Sequence, residues 1–288
     1  MVYRLLILLV SSQILGCSSE NEQPKLAVTY IANCGYLIET EHKAVIIDGF
    51  LAPLERDYYF KPTDSVANLM RTAQPPFDRI DLALFTHVHD DHFNADVTAQ
   101  HLFNNPRANV VGPPQIDSAM SLTEQYREIR DRVHVVAAPG DSVETLYLNG
   151  ITVEVFPSKH SSYVDEDTVT GEKFDRHAGI GHLEYFVTMD GRTLYHSGDA
   201  GLMDFERYQS FGFGDTTVDM AFVDWWDERP QITFTQKLIH DVIRPDRIFM
   251  IHMSPSRPPQ GCPDTQTFVA PEVYLPESLM QRWDFSGP

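Results

Sequence analysis

The sequence is poor in basic residues. Its 22 Lys and Arg residues face 41 Asp and Glu residues, so the formal net charge of the 288-residue chain is −19. A surface this acidic repels phosphate backbones, and we therefore expect neither a nucleic-acid substrate nor a nucleic-acid partner. Solubility is a simpler explanation for much of the acidity. The charge therefore argues against nucleic acid as a partner but indicates no other kind of partner.

Long apolar runs are also missing. After the first twenty residues no stretch is apolar enough to cross a bilayer, and no linker, low-complexity segment or short-period repeat divides the chain. Hydrophobic residues nevertheless make up 42% of the sequence and aromatic residues 11%, which is ample for a sizeable core. Length alone allows one large domain or two small ones. The lack of a linker agrees with a single globular domain over residues 25–288, which is the extent of the family resemblance described below.

Cysteine is scarce, with three residues in the whole chain. If Cys17 carries a lipid, Cys34 and Cys262 remain as free cysteines. These two could pair in an oxidising compartment. Cys34, which lies beside an apolar strand pattern, could equally be a buried thiol. The sequence leaves both alternatives open.

The N-terminus has the pattern of a secretory signal. One positive residue, Arg4, precedes a short apolar run and a small-residue cleavage site. The apolar run is too short for a transmembrane helix. Residues 14–17, Ile-Leu-Gly-Cys, resemble the lipobox of bacterial lipoproteins, in which cleavage leaves a lipid-modified cysteine at the new N-terminus. An ordinary cleaved signal with an accidental cysteine is the alternative.

This resemblance predicts the organisation of the chain. A signal peptide over residues 1–16 would be removed, Cys17 would carry diacylglyceryl and palmitate chains, and residues 17–24 would be a polar tether. The domain would then be exported and anchored to a bacterial membrane, in the periplasm or outside the cell. The pattern does not distinguish inner from outer membrane, and the oligomeric state is open.

The remaining sequence predicts an alternation of strands and helices, which indicates a mixed, layered domain. A polar segment without clear periodicity, residues 158–181, is predicted as a long loop, and such loops are often functional. Predicted strands are 26–32, 35–39, 44–48, 81–86, 110–112, 133–137, 143–148, 151–156, 183–189, 193–196, 220–225 and 247–251. Predicted helices are 64–73, 91–105, 118–132, 235–243 and 276–283.

A cluster of ligand-type residues follows the apolar strand over 81–86. His87 and His89 are two positions apart, so on an extended backbone their imidazoles project to the same side. Two imidazoles on one side suit a zinc-type ion. Asp91 and His92 can turn toward a second ion as the chain enters its next helix. Four ligand-type residues in six positions predict a metal site rather than a surface histidine cluster.

The pattern His87-x-His89-x-Asp91-His92 resembles the signature of the metallo-β-lactamase superfamily. That family completes its site with a histidine, a bridging aspartate in a Gly-Asp pair, and a last histidine after a strand. The chain has a candidate for each in the same order, and each follows a predicted strand. These candidates are His160, Asp199 and His252, with His177 and His182 as alternatives to His160.

The resemblance implies an α+β fold, a four-layer αββα sandwich with a metal cleft at one edge. It further implies two divalent ions, zinc or alternatively Mn²⁺ or Fe²⁺, and a role for Asp91 in orienting the nucleophile or carrying its proton. The ligands it implies are His87, His89 and His160 for one ion, Asp91, His92 and His252 for the other, and Asp199 between them.

The chemistry implied is hydrolysis, since two ions that share a water lower its pKa and stabilise charge that develops on oxygen. The chain looks most similar to the branch with ascorbate-phosphate lactonase-like and N-acyl-phosphatidylethanolamine phospholipase D-like enzymes. We therefore expect a small or lipid-like ester, lactone or phosphodiester substrate. Zinc β-lactamases generally lack the bridging aspartate, so β-lactam hydrolysis is the alternative activity. A non-catalytic metal- or ligand-binding lipoprotein is the alternative class.

Other residues near the motifs have two interpretations. His182 and His196 could orient metal ligands or fill the core. Trp225 and Trp226 could wall a substrate pocket or pack inside the domain.

The lipid anchor can be tested at Cys17. The full-length Cys17→Ala chain should not incorporate labelled palmitate, because it lacks the sulfur to which the lipid is attached. It should also leave the membrane fraction after cleavage or remain unprocessed. Cys262→Ala is the matched control and should keep both label and membrane association. Equal labelling of the two variants would contradict the prediction.

Overall fold

The computed structural model describes residues 26–53, 59–137, 142–202, 205–210, 217–224, 237–252 and 272–285. The predicted signal peptide and tether, Cys17, Cys262, Trp225 and Trp226 lie outside these residues. The predictions made for them, including the pairing of Cys34 with Cys262, therefore stay predictions. Within the described residues, no helix is both long and apolar enough to cross a membrane.

The first sheet has seven strands within the described residues, in the order β16-β1-β2-β3-β4-β5-β6. Antiparallel pairing joins β16, β1, β2 and β3, whereas β3 to β6 run parallel. The strands are β1 (Leu26–Ala32), β2 (Gly35–Glu39), β3 (Ala44–Ile47), β4 (Leu82–Leu84), β5 (Asn109–Gly112), β6 (Val133–Val135) and β16 (Arg282–Phe285).

The second sheet also has seven strands among the described residues, in the order β15-β14-β13-β12-β11-β8-β7. Strands β12 to β15 run parallel, and β12, β11, β8 and β7 pair antiparallel. The strands are β7 (Glu144–Leu148), β8 (Ile151–Lys159), β11 (Gly181–Met189), β12 (Arg192–His196), β13 (Val218–Asp224), β14 (Pro245–Ile251) and β15 (Glu272–Tyr274).

The two sheets pack face to face because their strands alternate in side-chain direction. In β4, Leu82 and Leu84 point into the core between the sheets, while Ala83 points to the opposite face. Two buried tyrosines also join the sheets by hydrogen bonds: Tyr36 Oη donates to the Met250 carbonyl over 2.7 Å, and Tyr185 Oη donates to the Phe85 carbonyl over 2.6 Å.

Helices cover the two outer faces. The outer face of the first sheet packs against helices from the first half of the chain, and that of the second sheet packs against helices from the second half. This arrangement confirms the predicted four-layer αββα sandwich. The helices are α1 (Asp64–Arg71), α2 (Ala95–Asn104), α3 (Pro114–Met120), α4 (Tyr126–Ile129), a 3₁₀ turn (Arg130–Arg132), α5 (Phe205–Ser210) and a π-helical turn (Leu238–Ile243).

The predicted helix over 118–132 is wrong as a single element. Helix α3 ends at Met120, and α4 begins only at Tyr126. Ser121 Oγ donates to the Ser118 carbonyl and Thr123 Oγ1 donates to the Met120 carbonyl, over 2.7 Å each. Hydroxyl groups that bond to nearby carbonyls compete with the helical pattern, and here they end it.

The predicted helix over 276–283 is also wrong. Residues 282–285 instead form β16, which pairs antiparallel with β1. Arg282 forms an ion pair with Glu39, and the ring of Trp283 packs edge-on against Phe249 with centroids 5.4 Å apart. The otherwise unpaired edge of β1 offers backbone donors and acceptors, and this tertiary pairing overrides the local helical pattern.

The predicted loop over 158–181 contains a small hairpin. Its strands are β9 (Val164–Glu166) and β10 (Lys173–Asp175), which pair antiparallel. Asp167 Oδ1 accepts hydrogen bonds from the backbone amides of Val169 and Thr170, over 2.8 Å each, and so shapes the turn. Strands β9 and β10 are only three residues each and flank an acidic turn, so their alternation is too short to recognise in the sequence.

A substitution at Gly35 tests how tightly the backbone is packed at the first residue of β2. A Cβ atom at this position would lie 2.7 Å from the Cα of Gly49 and 2.8 Å from the carbonyl oxygen of Asp48. Gly35→Ala should therefore lower the free energy of unfolding by about 1–3 kcal/mol, as overpacking does. Urea denaturation measures the change.

Gly179→Ala is the matched control, because a Cβ at Gly179 meets no atom within 4 Å. It should change the free energy of unfolding by no more than about 0.5 kcal/mol. An equal effect of the two substitutions would show that contact with the Asp48–Gly49 backbone is not the cause.

Candidate metal centre

The predicted ligands lie at one edge of the sandwich because of strand polarity. Strands β1, β3 and β4 share one direction in the first sheet, and β8, β12 and β14 share one direction in the second. The carboxyl ends of these strands therefore meet at a common edge. The segments that leave them carry Cys34, Asp48, His87 to His92, His160, Asp199 and His252.

Two groups of side chains at this edge have the geometry to hold a metal ion. In each group the ligand atoms all lie within 4.8 Å of one another. The first group is His87, His89 and His160. The second is His92, Asp199, His252 and Cys34.

Asp199 joins the two groups. One of its oxygens, Oδ1, lies 3.2 Å from His92 Nε2, and the other, Oδ2, lies 3.3 Å from His252 Nε2 and 3.5 Å from His160 Nε2. The carboxylate therefore contacts histidines of both groups and of both sheets. The structure thus brings together the ligand set named from the sequence, with Asp91 at its margin: Asp91 Oδ2 is 3.5 Å from His252 Nε2.

Asp48 supports the first group through Thr86. The Thr86 hydroxyl donates to Asp48 Oδ2 over 2.6 Å and lies 3.0 Å from His87 Nδ1. A hydroxyl has one hydrogen to donate, so His87 Nδ1–H must be the donor in the second contact. This fixes the tautomer of His87 and leaves its Nε2 as a lone pair, 2.9 Å from His89 Nδ1.

Asp48 also supports the second group. The same oxygen, Oδ2, lies 2.9 Å from His92 Nδ1 and accepts its hydrogen, which turns Nε2 toward Asp199. His92 sits in a turn ahead of α2 because Asn94 Oδ1 accepts from the Val97 amide and caps that helix. The predicted helix start at residue 91 is therefore four residues early, and the cap leaves Asp91 and His92 outside the helix.

Histidine side chains around the ligands hold the backbone in place. His196 Nδ1 accepts from the Gly198 amide over 3.0 Å, so its Nε2–H donates to the Cys34 carbonyl over 3.3 Å. His196 thereby links the Asp199 loop to the β1–β2 turn. His182 Nδ1 lies 2.6 Å from Ser158 Oγ, beside the rings of the first group.

His160 and His177 donate to the same carbonyl. Their Nδ1 atoms lie 2.9 and 2.8 Å from the oxygen of Ser161, and their ring centroids are 4.0 Å apart. In His160 this bond leaves Nε2 as a lone pair directed at Asp199. Of the sequence alternatives, His160 is therefore the one in the ligand group, whereas His177 lines the adjoining cleft.

Left-handed backbone conformations recur at the strand ends around the centre. Asn33, Asp48, Gly198 and His252 have φ angles of 45°, 47°, 52° and 58°. A Cβ at Gly198 would lie 2.6 Å from the Cβ of Thr86, so only glycine permits this close approach. Positive φ in non-glycine residues is uncommon and concentrates at functional sites, where surrounding contacts hold the strained turn.

The electrostatics divide the histidines into two kinds. Burial lowers the pKa values of His87 and His89, and it lowers the pKa of His160 to about 4. These imidazoles are neutral at neutral pH, as metal ligands must be. Burial also opposes charge on His92, but Asp199, Cys34 and Asp48 outweigh it and hold the pKa of His92 well above its usual value.

The donor set fits metal ions. His160 Nε2 is buried, has no hydrogen-bond partner among the described residues, and directs its lone pair at an oxygen of Asp199. Two such acceptors repel unless a cation lies between them. His92 Nε2 lies 3.2 Å from the other Asp199 oxygen, and the raised pKa of His92 keeps a proton between these two atoms until a metal ion displaces it. Imidazole nitrogens with a carboxylate suit zinc, iron or manganese.

A cleft of about 680 Å³ opens beside the centre. This volume is within the range of small-molecule sites. The cleft is bounded by the ligands and by residues of the β9–β10 hairpin region, where Arg176 pairs with Asp165 and lies over the ring of Tyr163. Further lining residues are Tyr59, Asp90, Ser161 and His177.

Three contributors to the centre were missed in the sequence. Asp48, Asn33 and Cys34 are all fully buried beside the ligands. Asp48 directly follows an apolar strand, as His87 follows the predicted strand over 81–86. This position could have identified Asp48 as a site residue from the sequence. Asn33 and Cys34 occupy a tight turn between two short strands, and nothing in their local pattern indicates that the turn faces a site.

The Lactamase_B_2 family model, described as a β-lactamase superfamily domain, matches residues 56–261. Two curated relatives are UPF0173 metal-dependent hydrolases. The one from Methanospirillum hungatei is 30% identical over 125 residues, which is 42% of this chain and 45% of the relative. The one from Pelotomaculum thermopropionicum is 25% identical over 199 residues, or 69% and 71% of the two chains. The chain thus spans less than half of the first relative.

Solved structures share the fold at low identity. Igni18, a metallo hydrolase from Ignicoccus hospitalis, aligns with a TM-score of 0.58 at 17% identity, covering 92% of this chain and all of that one. YhfI from Bacillus subtilis gives 0.55 at 15%, covering 91% and 100%. CmlA, a diiron β-hydroxylase from Streptomyces venezuelae, gives 0.55 at 14%, covering 92% and 54%. The fold thus hosts different chemistries.

The support from Asp48 can be tested by Asp48→Asn. The amide nitrogen would face His92 Nδ1–H, donor against donor, so His92 would have to carry its hydrogen on Nε2 and lose that lone pair. We expect zinc affinity, measured by competition with a chromophoric chelator, to fall roughly 10–100-fold.

Asp81→Asn is the control for this substitution. Asp81 is also a buried carboxylate, and it accepts hydrogen bonds from the Ala44 amide and from Arg107 rather than from a ligand. Its zinc affinity should match that of the unmodified protein. If both variants lose affinity equally, Asp48 acts only through general stability.

Proposed function

The chain belongs to the β-lactamase superfamily, and we propose that it hydrolyses a small ester, lactone or phosphodiester with two divalent metal ions, of which zinc is the first candidate. Its two curated relatives are metal-dependent hydrolases. The observation that carries the proposal is the position of Asp199. Its buried carboxylate lies within 3.5 Å of imidazole nitrogens from two separate ligand groups. A carboxylate shared in this way is suited to bridging two ions.

In this proposal one ion is held by the first group and the other by His92 and His252, with Asp199 common to both. When bound, the ions would acidify a water and polarise the oxygen of the scissile bond. The protein's own contribution is positioning. The tautomers set by Thr86 and Ser161 present lone pairs at His87 and His160 without rotation of either ring.

Asp91 has the position required to handle a proton. Its side chain lines the cleft, and Asn33 Nδ2 donates both to its Oδ2 over 3.2 Å and to its backbone carbonyl over 3.0 Å. These bonds fix one oxygen of Asp91. We propose that the carboxylate orients the attacking water and receives its proton, then delivers it to the leaving group.

The substrate class follows from the cleft. A volume of about 680 Å³ with a mainly polar lining suits a small polar molecule rather than a polymer. Arg176 is the only Lys or Arg side chain that lines the described part of this cleft, and its partner Asp165 is half-buried beside it. We propose that a negatively charged group of the substrate competes with Asp165 for this guanidinium.

The cellular setting is proposed from the N-terminal pattern. A lipid on Cys17 would hold the domain at a bacterial membrane, where small or lipid-like esters could reach the cleft. Membership of the ascorbate-phosphate lactonase-like and phospholipase D-like branch would agree with this substrate class.

Metal content and turnover test the function together. The full-length protein should bind about two zinc ions per chain and hydrolyse a nitrophenyl phosphodiester, a nitrophenyl ester or a simple lactone. Chelation should abolish turnover and added zinc should restore it. Asp199→Asn should retain one ion or none and lose turnover, because the amide has one oxygen and no charge with which to bridge.

Asp219→Asn is the matched control. Asp219 lies on β13 and accepts hydrogen bonds from Arg192 and the Thr193 amide, so its loss leaves the ligand groups intact. It should keep two ions and full turnover. Two bound ions without turnover on any substrate class would favour the binding lipoprotein, and no stoichiometric metal at all would refute the hydrolase proposal.

A further inference from the structure

Cys34 lies at the buried side of the second ligand group. Its side chain is fully buried, and Sγ is 3.8 Å from Asp199 Oδ1. Cys34 Sγ and the ligand atoms of His92, Asp199 and His252 form one set, and all of these atoms lie within 4.8 Å of one another. Asp91 lies outside that set and lines the cleft, as Asp199 and His252 also do.

We propose that the Cys34 thiolate is a ligand of the second metal ion, together with His92, Asp199 and His252. The inference rests on the proposed two-metal function and deepens it, since it assigns a sulfur donor to one of the two positions. Metal binding would displace the thiol proton to solvent, as it does for zinc-bound cysteines. Zinc in proteins commonly takes four ligands of this mixed nitrogen, oxygen and sulfur type.

The surroundings of the sulfur support this assignment. Asn33 Nδ2 lies 3.6 Å from Cys34 Sγ, and its two hydrogens are shared between this sulfur and two oxygens of Asp91 at 3.0 and 3.2 Å. The backbone of Cys34 is also fixed, because its carbonyl accepts from His196, whose other nitrogen accepts from the Gly198 amide. The turn that carries the sulfur is thus bonded to the loop that carries Asp199.

A buried thiol with no metal role is the competing interpretation. In that case Cys34 S–H would only donate a weak bond to Asp199 Oδ1, and the side chain would be a small hydrophobic filler. The two interpretations differ in a measurable way. A thiolate ligand is soft and selects zinc or cobalt over manganese, whereas a filler thiol leaves metal preference unchanged.

Cobalt substitution separates the interpretations in the full-length protein. Loaded with Co²⁺, the unmodified protein should show a near-ultraviolet thiolate-to-cobalt charge-transfer band as the second equivalent binds. Cys34→Ser should lose this band, while Cys17→Ser and Cys262→Ser should keep it. Cys34→Ser should also bind zinc roughly 10–100-fold more weakly at its second position and bind manganese as before.

The outcomes distinguish this inference from the function on which it rests. Two bound cobalt ions without the band would overturn the Cys34 assignment and leave the two-metal hydrolase standing. A disulfide between Cys34 and Cys262 would give that same result. A band lost in Cys262→Ser rather than in Cys34→Ser would also overturn the assignment. No bound cobalt in the unmodified protein would overturn the two-metal function itself.

A second measurement covers the case in which Cys34→Ser fails to fold. Zinc K-edge X-ray absorption of the Cys262→Ser protein needs no substitution at Cys34. The expected result is one sulfur scatterer at about 2.3 Å for every two zinc ions, which is about half a sulfur per zinc in the averaged spectrum. Nitrogen and oxygen scatterers alone would overturn the proposal.

Discussion

The centre depends on one constraint: Asp199 is a buried carboxylate, and its charge must be balanced where it lies. Its oxygens are within 3.5 Å of His92, His160 and His252, which come from three different strand ends. Burial opposes its ionisation, yet His92 and His252 hold the pKa of Asp199 well below its usual value. A buried charge without a partner costs several kcal/mol. The loops that carry the three histidines are therefore held together by the same interaction that would bind metal.

This constraint can be met only if the two sheets are docked in a fixed relation. Tyr36 and Tyr185 fix the position of one sheet relative to the other near the site. Each donates a hydrogen bond across the sheet interface to a backbone carbonyl near the end of a strand. Tyr36 reaches Met250, two residues before His252, and Tyr185 reaches Phe85, two residues before His87. A buried hydrogen bond left unmade costs about 1–3 kcal/mol. Sliding one sheet along the other would break both bonds and separate the ligands.

The sequence predicted the parts of this arrangement that local patterns carry. Spacing alone identified His87 and His89, since two residues on an extended segment project to one side. It could not connect them to Asp199 or His252, and only the family resemblance did so. Asp48 and Cys34 were missed because their roles arise from contacts 44 and 165 positions away along the chain. The C-terminal strand was missed for a related reason: the edge of β1 decides the conformation of residues 282–285, and that edge is invisible in the local pattern.

Charge balance explains why a sulfur would belong to the second position rather than the first. The first group consists of imidazoles whose pKa values burial depresses, so it supplies neutral nitrogens only. Two divalent ions bring four positive charges, while Asp199, Asp91 and Asp48 bring three negative charges within reach of the centre. In a buried site a remaining charge is costly. A Cys34 thiolate would supply a fourth negative charge from a fully buried position, and the hydroxide formed from an acidified water would add another. Asp91 lines the cleft, where its carboxylate could exchange a proton with the substrate.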